Sequence, residues 1–349
     1  MQPDYSRQIS LKEIGADGQA RLARSRVLVV GAGGLGSPVL QYLAGAGVGC
    51  LGIVDDDVLD RSNLHRQPLY ALDDAGGRKC ELARTALARI NPTVRIETHA
   101  LRFDAGNALD LVGRYDAVID CSDNFRCKFL LSDAAVLARK PAVFASVYQF
   151  EGQLQVYKPE AGHACLRCLW PEATADGIVG NCAEAGVLGP VPAALGAMQA
   201  LLALKILLDI PGQLASELLL IDFMDFSTLK LRAPRRSACP APGCSLVLPP
   251  APEVPELAIH MRSLAEAAAR GLQVIDIRSD AEVAALPTSA RHIAMPALLA
   301  NPGLLSPQFS YLLICASGTR SLSAARALHA RGLSVRSLAG GLQALGESG

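Results

Sequence analysis

A short buried strand that runs directly into a glycine-rich turn is the feature that most constrains the fold of this chain. Residues 26–30 (RVLVV) are followed by GAGGLG, which supplies Gly31, Gly33, Gly34 and Gly36. Such glycines let backbone N–H groups approach a phosphate at the N-terminus of the helix that follows. Tight glycine packing without a ligand is the alternative interpretation.

An acidic residue lies at a suitable distance after this turn. Asp55 follows Gly36 by 19 residues and ends the next predicted strand, LGIVD. A carboxylate at that position can hydrogen-bond a ribose hydroxyl. The arrangement predicts a nucleotide or an adenine dinucleotide and does not choose between them.

Strand-like and helical segments alternate along the first two thirds of the chain. Short β-branched runs at residues 117–121, 142–147 and 218–223 are separated by helical stretches. This pattern is typical of a mostly parallel α/β sheet.

The alternation restarts on a smaller scale after the proline-rich sequence LVLPPAPEVPEL, which favours an extended linker. VIDIR (274–278) and YLLIC (311–315) have the composition of buried strands, and residues 320–331 are predicted to form a helix closed by Gly332. The predicted organisation is a large domain over 1–245, a linker over 246–256 and a small α/β domain over 257–349.

The composition excludes several classes of protein. The 349 residues carry 33 basic and 33 acidic side chains, and half are hydrophobic. Neither a disordered chain nor an electrostatic nucleic-acid-binding protein is therefore expected. The most apolar stretch, residues 195–210, has 16 residues and contains Gln199 and Lys205. It predicts a buried or subunit-interface helix and no membrane span.

The N-terminal residues indicate a cytoplasmic protein. Asp4, Arg7 and Lys12 occur where a signal peptide would need an apolar run. We therefore expect the ten cysteines to be thiols or metal ligands, because disulfides are rare in the cytosol.

Basic and polar residues follow the strand that ends at Asp55. They comprise Asp57, the run Ser62-Asn63-Leu64-His65-Arg66-Gln67 and the pair Arg78-Lys79. Hydride transfer needs no such cations. Cleavage of ATP between its α and β phosphates does, because charge builds up on the departing pyrophosphate. One preorganised donor in such a site contributes roughly 2.7 to 4 kcal/mol to the rate.

A second polar cluster, DCSDN at residues 120–124, follows another predicted strand. Open α/β sheets bind their ligands at this carboxyl edge. Asp123 is a candidate ligand for Mg²⁺ on the phosphates. An isolated Asp or Arg is more often a surface ion pair or a helix cap, so the site depends on the whole ordered set of motifs.

Taken in order, the motifs resemble the ThiF/MoeB family of adenylyltransferases, which are related to the ubiquitin-activating enzymes. The resemblance runs over residues 4–245 and rests on Arg7-Gln8, GAGGLG, VDDD, SNLHRQ, RK and DCSDN. It implies a Rossmann-like α/β fold with a mixed, mostly parallel sheet, usually in a homodimer. It also implies ATP-dependent adenylation of the C-terminal glycine of a ubiquitin-like sulfur-carrier protein that ends in Gly-Gly.

The resemblance also assigns residues to the ATP site. It places there Gly34, Asp55, Ser62, Asn63, Arg66, Lys79, Asp123 and Asn124, and the full predicted nucleotide-binding set adds Gly31, Gly33, Gly36, Asp57, Leu64 and His65. Arg66, Lys79 and Asp123 would act in catalysis. Arg7 matches an N-terminal arginine of the family that reaches the nucleotide of the neighbouring subunit.

Two close cysteine pairs suggest a tetrahedral zinc site. They are Cys165 with Cys168 and Cys239 with Cys244. The family has a structural zinc held by two C-x₂-C pairs, which the first pair matches, whereas the second pair has four intervening residues. A disulfide is the alternative interpretation.

Cys182 lies in a glycine-punctuated segment, which predicts a mobile loop. It resembles the family's loop cysteine, which in some members takes part in thioester or acyl-disulfide chemistry. The alternative interpretation is that Cys182 is a buried structural cysteine. We assign Cys50, Cys80, Cys121 and Cys127 to packing, because free cysteines are among the most buried side chains.

The last domain carries Cys315 in the sequence CASGTR, between a predicted strand and a predicted helix. Backbone N–H groups converge on a sulfur at such a turn, and Arg320 is predicted one turn inside the helix. Residues 257–349 resemble a rhodanese domain, in which the loop cysteine carries a persulfide. Two features depart from the family pattern: the residues just before Arg291-His292, and Leu342. The alternative interpretation of the CASGTR sequence is an ordinary strand-to-helix turn.

The main hypothesis is an adenylyltransferase and sulfurtransferase that forms a thiocarboxylate on a carrier protein, as in molybdopterin biosynthesis and related pathways. Cys315 would deliver sulfur from an upstream donor such as a cysteine desulfurase, and Cys182 would resolve the acyl disulfide. ATP, Mg²⁺ and Zn²⁺ are the predicted cofactors. The alternatives are a NAD-dependent oxidoreductase, and a carrier-binding module whose rhodanese domain is inactive.

Overall fold

The computed structural model describes residues 3–160, 163–170, 186–237, 239, 257–329 and 331–346. These residues fall into two units, one containing the described residues up to 239 and the other those from 257 onwards. The predicted linker over 246–256 lies outside the described residues.

The first unit is built on a mixed eight-stranded sheet. In chain order its strands are β1 (Arg26–Val30), β2 (Cys50–Val54), β3 (Arg95–His99), β4 (Ala117–Asp120), β5 (Ala142–Tyr148), β6 (Glu151–Tyr157), β7 (Glu217–Asp222) and β8 (Thr228–Arg232). The spatial order is β3-β2-β1-β4-β5-β6-β7-β8. Strands β3, β2, β1, β4 and β5 run parallel to one another. Each of β6, β7 and β8 then pairs antiparallel with the strand before it. The predicted Rossmann-like architecture is confirmed.

Helices cover both faces of this sheet. They are α1 (Ser6–Ile9), α2 (Gly15–Arg24), α3 (Gly36–Gly45), α4 (Lys79–Ile90), α5 (Ala108–Gly113), α6 (Phe125–Ala138), α7 (Leu166–Leu169) and α8 (Pro190–Leu208). Alternate residues of β1 belong to the two opposite cores: Val27 and Val29 to one, Leu28 and Val30 to the other. The sequence of a strand that is buried on both faces is a continuous apolar run, as in RVLVV.

Helix α8 is longer than the apolar stretch predicted from the sequence. It has 19 residues because it begins at Pro190, before the predicted start; proline suits the first helical turn, which needs no N–H donor there. By length and composition it passes the test for a membrane span, and 56% of its most apolar 18-residue window is buried. A Cβ on Gly196 would lie 2.4 Å from the Leu35 carbonyl oxygen, which shows how closely α8 approaches the start of α3. This packing is that of a core helix.

The second unit contains a five-stranded parallel sheet. Its strands are β9 (Ala258–Ile259), β10 (Leu272–Asp276), β11 (Arg291–His292), β12 (Ser310–Ile314) and β13 (Ser334–Leu338), in the spatial order β11-β10-β12-β13-β9. Its helices are α9 (Leu264–Ala269), α10 (Asp280–Ala285), α11 (Met295–Ala300), α12 (Thr319–His329) and α13 (Gly341–Gly346). The central strand β12 is buried over Tyr311–Ile314, so the loop that follows it starts from the core of the unit.

Candidate functional site

The glycine turn follows β1 at the carboxyl edge of the parallel strands, and two of its glycines are required by the fold. Gly31 has a φ of +97°, and a Cβ on it would lie 2.5 Å from the Cys121 carbonyl oxygen. A Cβ on Gly36 would lie 2.1 Å from the Gly31 carbonyl oxygen. Any larger residue at either position would collide with backbone.

The other two glycines of the motif are not explained by crowding within the chain. A Cβ on Gly33 would come no closer than 3.5 Å to another atom, the Gln67 Nε2, and one on Gly34 no closer than 3.4 Å, to the Arg66 carbonyl oxygen and Pro192. These are ordinary van der Waals distances. The fold would therefore tolerate a small side chain at Gly33 and Gly34, and the close approach of a phosphate to the backbone is a reason for glycine that does not depend on crowding within the chain.

Asp55 fixes the conformation of this turn. Its Oδ2 accepts a hydrogen bond from the Ala32 N–H at 2.8 Å, and its Oδ1 accepts one from the Asp57 N–H at 2.9 Å. The Tyr70 hydroxyl donates to the Ala32 carbonyl oxygen at 2.8 Å. Both backbone polar groups of Ala32 are therefore hydrogen-bonded to side chains. Burial raises the pKa of Asp55, against the opposing effects of these N–H groups and of Lys79.

Lys79 is tied to the same network. Its Nζ lies 2.8 Å from Oδ2 of Asp57, and its side chain is 7% exposed while that of Asp57 is 68% exposed. A continuous path of hydrogen bonds therefore runs from Ala32 through Asp55 and Asp57 to this lysine. The structure thus brings the glycine turn and a buried cation together.

The segment 60–66 carries the second cation. Asp60 caps the turn at residues 61–63: its Oδ1 accepts from the Ser62 N–H at 2.7 Å, and Asn63 Oδ1 accepts in return from the Asp60 N–H at 3.2 Å. Arg66 Nη1 donates to the Ser62 carbonyl oxygen at 3.0 Å and lies 3.0 Å from His65 Nε2. The guanidinium is thereby held on the segment that faces Gly34.

The end of β4 and the residues that follow it supply a buried ion pair and an exposed carboxylate. Asp120 is fully buried and is paired with the buried Lys128 of α6, which also donates to the Ala145 carbonyl oxygen. Asp123 is exposed. Asn124 caps α6, since its Oδ1 accepts from the Cys127 N–H at 2.8 Å, and its role in nucleotide binding stays a prediction.

Sequence reasoning missed the roles of Lys128 and Gln199. Lys128 neutralises Asp120, and Gln199 of α8 donates to the Asp120 carbonyl oxygen at 2.7 Å. The available signal was a single lysine among apolar residues of α6 and a single glutamine at the centre of an apolar helix. A polar residue in such a setting needs a buried partner.

Arg7 is not near the glycine turn of its own chain. It belongs to α1, and the neighbouring Gln8 donates to the Ala46 carbonyl oxygen at 3.0 Å. Ala46 follows the last residue of α3, whereas the glycine turn precedes its first, and ten helical residues span roughly 15 Å. Within one chain, Arg7 and the turn therefore lie at opposite ends of α3.

Three of the four predicted zinc ligands lie together. The Sγ atom of Cys165 is 3.8 Å from that of Cys168 and 3.5 Å from that of Cys239, and all three sulfurs lie within 4.8 Å of one another. Tetrahedral coordination at about 2.3 Å places ligand sulfurs about 3.8 Å apart. The spacing therefore fits a zinc ion. Cys244, the predicted fourth ligand, lies outside the described residues, as does Cys182.

The environment of Cys168 favours its thiolate. Burial raises the pKa of Cys168, but hydrogen bonds from the Arg236 N–H, from the Cys165 backbone and from the neighbouring thiols outweigh it and hold that pKa below its usual value. A metal-ligating cysteine binds as the thiolate.

In the second unit, Cys315 follows β12 and lies under backbone donors. Its Sγ accepts from the Gly318 N–H at 3.2 Å and from the Ser321 N–H at 3.4 Å, and the residue is fully buried. Gly341 supports the loop from behind: it has a φ of +64°, and a Cβ on it would lie 2.4 Å from the Gly318 nitrogen. The sequence LAGGL at residues 338–342 thus packs directly on the loop of this cysteine.

Arg320 lies closer to the start of its helix than predicted. It is the second residue of α12, in the first turn, because Thr319 already has helical geometry. Its guanidinium is paired with Glu282, a residue that the sequence did not single out.

Comparison with known proteins places these observations in a family. The model of the ThiF family matches residues 5–241. A sulfur carrier protein adenylyltransferase of Thermus thermophilus is 48% identical over 243 residues, which cover 68% of this chain and 90% of the relative. The probable adenylyltransferase/sulfurtransferase MoeZ of Mycobacterium tuberculosis is 45% identical over 64% of this chain, and the adenylyltransferase and sulfurtransferase MOCS3 of Aedes aegypti is 47% identical over 67%. The matches cover 58% of MoeZ and 54% of MOCS3.

Solved structures show the same fold. A crystal structure of E. coli MccB with AMPCPP and MccA aligns with a TM-score of 0.58 at 23% identity, over 67% of this chain and 70% of that one. A crystal structure of PaaA aligns with a TM-score of 0.57 at 23% identity, over 66% and 73%. At this identity the likeness concerns the fold alone.

Proposed function

Because the chain belongs to the ThiF family, we propose that it uses ATP to activate the C-terminal glycine of a ubiquitin-like sulfur-carrier protein and then converts it to a thiocarboxylate. In the first step a carboxylate oxygen of the carrier attacks the α-phosphorus of ATP. The P–O bond to the β-phosphate breaks, and its electron pair leaves with pyrophosphate. The hydrogen-bonded path from the glycine turn to the buried Lys79 carries this proposal.

The predicted site residues divide the chemistry among them. Lys79 and Arg66 stabilise the negative charge that builds up on the leaving pyrophosphate. Asp55 has a lone pair left on each oxygen for a ribose hydroxyl, since each oxygen accepts one hydrogen bond from a backbone N–H. The exposed Asp123 would hold Mg²⁺, which would neutralise phosphate charge.

A homodimer would complete the site. Arg7 lies at the far end of α3 from its own glycine turn, which supports its assignment to the nucleotide of a neighbouring subunit. We also propose that the protein acts in the cytoplasm.

The sulfur-transfer half of the proposal rests on Cys315. As a persulfide, this residue would attack the acyl carbon with its terminal sulfur, and AMP would leave with the electron pair of the C–O bond. The Cys182 thiol would then attack the Cys315 sulfur, which releases the thiocarboxylate and leaves a Cys182–Cys315 disulfide for an external thiol to reduce. A cysteine desulfurase is the proposed source of the persulfide sulfur.

We also propose a structural zinc ion at the cysteine cluster. Cys165, Cys168 and Cys239 would hold it, with Cys244 as the fourth ligand. The sulfur spacing supports this assignment. The ion would tie α7 to the segment after β8.

The alternatives make different predictions. Membership of the ThiF family argues against a NAD-dependent oxidoreductase. A carrier-binding module with an inactive rhodanese domain would bind the carrier without releasing pyrophosphate.

The direct test of the proposed function is exchange of labelled pyrophosphate into ATP. We expect exchange only when a carrier protein with a free C-terminal Gly-Gly is present. A carrier that lacks its last glycine is the control. Adding a persulfide donor should replace one carboxylate oxygen of the carrier by sulfur, as measured by intact mass spectrometry. Binding of the carrier without exchange would contradict the proposal.

The glycines of the turn allow a test that separates folding from ligand binding. Gly34→Ala should fold normally, because the new Cβ meets only ordinary contacts, but its affinity for ATP should fall about tenfold or more, equivalent to at least about 1.4 kcal/mol. Gly36→Ala should instead lower stability by about 1–3 kcal/mol or more, because its Cβ meets backbone at 2.1 Å. Calorimetric titration with ATP and thermal melting measure the two effects.

Gly45→Ala is the matched control in the same helix, since a Cβ there meets nothing within 4 Å. It should leave both ATP affinity and folding intact. Unchanged ATP affinity in Gly34→Ala would show that the phosphate does not approach this part of the turn.

A further inference from the structure

The loop that carries Cys315 is bordered by an ion pair that the sequence did not predict. Arg320 Nη1 lies 2.8 Å from Glu282 Oε2, and Nη2 lies 2.5 Å from Oε1. The side chains are 19% and 35% exposed, so both charges are partly shielded from water. Two parallel contacts of this kind orient a guanidinium as well as neutralising it.

Glu282 is itself held in place by its helix. Its Oε2 accepts hydrogen bonds from the Ser279 N–H and hydroxyl, both at 2.9 Å, and the Ser279 hydroxyl accepts in return from the Glu282 N–H at 3.3 Å. This capping box starts α10 and presents the carboxylate to Arg320. The pairing with Arg320 lowers the pKa of Glu282 to about 2, so the pair is charged at neutral pH.

Arg320 is adjacent in the chain to one of the backbone donors of the sulfur. Arg320 directly precedes Ser321, whose N–H lies 3.4 Å from Cys315 Sγ. A second arginine of this region, Arg278, is paired with the fully buried Asp276 at 2.7 Å. Both guanidinium groups are therefore neutralised by a carboxylate.

We propose that Glu282 is a specificity-determining residue of the sulfur loop, which neutralises Arg320 and so disfavours the dianion thiosulfate relative to a persulfide carried by a protein. The proposal rests on the proposed sulfur-transfer function. A persulfide brings at most one negative charge to the loop, whereas thiosulfate brings two and gains more from an unpaired cation. Glu282 acts through Arg320 and does not touch the sulfur.

The reaction with thiosulfate provides the assay. The Cys315 thiolate attacks the outer sulfur of thiosulfate, the S–S bond breaks, and sulfite leaves with its electron pair, which gives a persulfide. Cyanide then attacks the outer persulfide sulfur, forming thiocyanate and returning the thiolate. This cycle needs neither ATP nor a carrier protein.

Glu282→Gln in the full-length protein is the decisive variant. Glutamine can keep the capping box but removes the charge that neutralises Arg320. We expect the KM for thiosulfate to fall about tenfold, equivalent to about 1.4 kcal/mol, with little change in kcat and with a steeper dependence of KM on ionic strength. The double variant Glu282→Gln/Arg320→Gln should lose this gain, and Glu282→Asp should resemble the unaltered protein.

Glu266→Gln is the matched control. Glu266 pairs with Arg270 in the same unit at 2.5 Å and accepts a hydrogen bond from the Arg262 N–H just before α9, so its replacement should leave thiosulfate turnover unchanged. An unchanged KM in a normally melting Glu282→Gln protein would overturn the proposal, as would a gain that persists in the double variant.

The outcome also separates this inference from the proposed function. Transfer of sulfur to Cys315 from a persulfide-loaded cysteine desulfurase, followed by mass spectrometry, tests the sulfur role itself. If Cys315 is persulfidated by that donor but Glu282→Gln leaves thiosulfate use unchanged, only the specificity proposal fails. If Cys315 is persulfidated by neither donor in either protein, the sulfur-transfer function fails together with it.

Discussion

Replacing Lys79 by methionine is expected to reduce carrier-dependent pyrophosphate exchange by about 100-fold or more, because one preorganised donor to the developing charge contributes roughly 2.7 to 4 kcal/mol. The protein should still fold. The partner of Lys79, Asp57, is 68% exposed, so water can solvate its carboxylate once the lysine is gone. Exchange kinetics and thermal melting on the same preparation measure both effects.

A second buried lysine shows what a purely structural role would do. Lys128 is 8% exposed at its side chain, almost the same as Lys79, but its partner Asp120 is completely buried. Lys128→Met would leave that carboxylate without its counter-ion, and removing one partner of a buried pair lowers stability by about 3–5 kcal/mol. The two variants should therefore lose different properties. Lys79→Met should fold but lose pyrophosphate exchange, whereas Lys128→Met should unfold at a lower temperature.

Arg114→Gln is the control for loss of a positive charge, since Arg114 forms an exposed pair with Asp110 on α5. It should retain both activity and stability. If a normally folded Lys79→Met protein exchanges pyrophosphate at a rate near that of the unaltered protein, the buried cation has no part in adenylation.

Cys315→Ala is expected to abolish thiocarboxylate formation while pyrophosphate exchange continues. The reason is that the acyl adenylate would form at the proposed site in the first unit, whereas the sulfur would be carried by this cysteine. Cys315→Ser should give the same result and keeps an acceptor for the N–H groups of Gly318 and Ser321, which guards against loss of the loop structure. Intact mass spectrometry of the carrier and the exchange assay measure the two activities.

Cys50→Ala is the control for loss of a buried thiol, since Cys50 is buried within β2 and is assigned to packing. Its thiocarboxylate yield should equal that of the unaltered protein. Continued thiocarboxylate formation in Cys315→Ala would show that the sulfur comes by another route.

The fold of the first unit was accessible to sequence reasoning because its signals are local. A continuous apolar strand, a glycine turn and an acid 19 residues later predict a Rossmann-like sheet, and the ThiF family match confirms the resemblance drawn from these motifs. The glycine pattern did not reveal that Gly31 and Gly36 are needed because neighbouring backbone atoms of the chain itself lie too close for a side chain. That distinction required the positions of Cys121 and of the turn itself.

Pairing between distant residues was harder to predict. Glu282 and Arg320 are separated by 38 positions, and a charged residue on a short helix gives no sign of which opposite charge it meets. The apolar window over residues 195–210 underestimated helix α8 for a related reason, because hydropathy records composition and not the helical start that Pro190 provides.

The sequence by itself determined the strand, turn and helix of the predicted nucleotide site, because these elements are encoded by neighbouring residues whose backbone preferences act locally. Only the tertiary structure decided which charges neutralise each other: Lys79 with an exposed carboxylate, Lys128 with a buried one and Arg320 with Glu282. The strength of each pair depends on its distance and on how much water surrounds it, and both are set when the helices pack against the sheets.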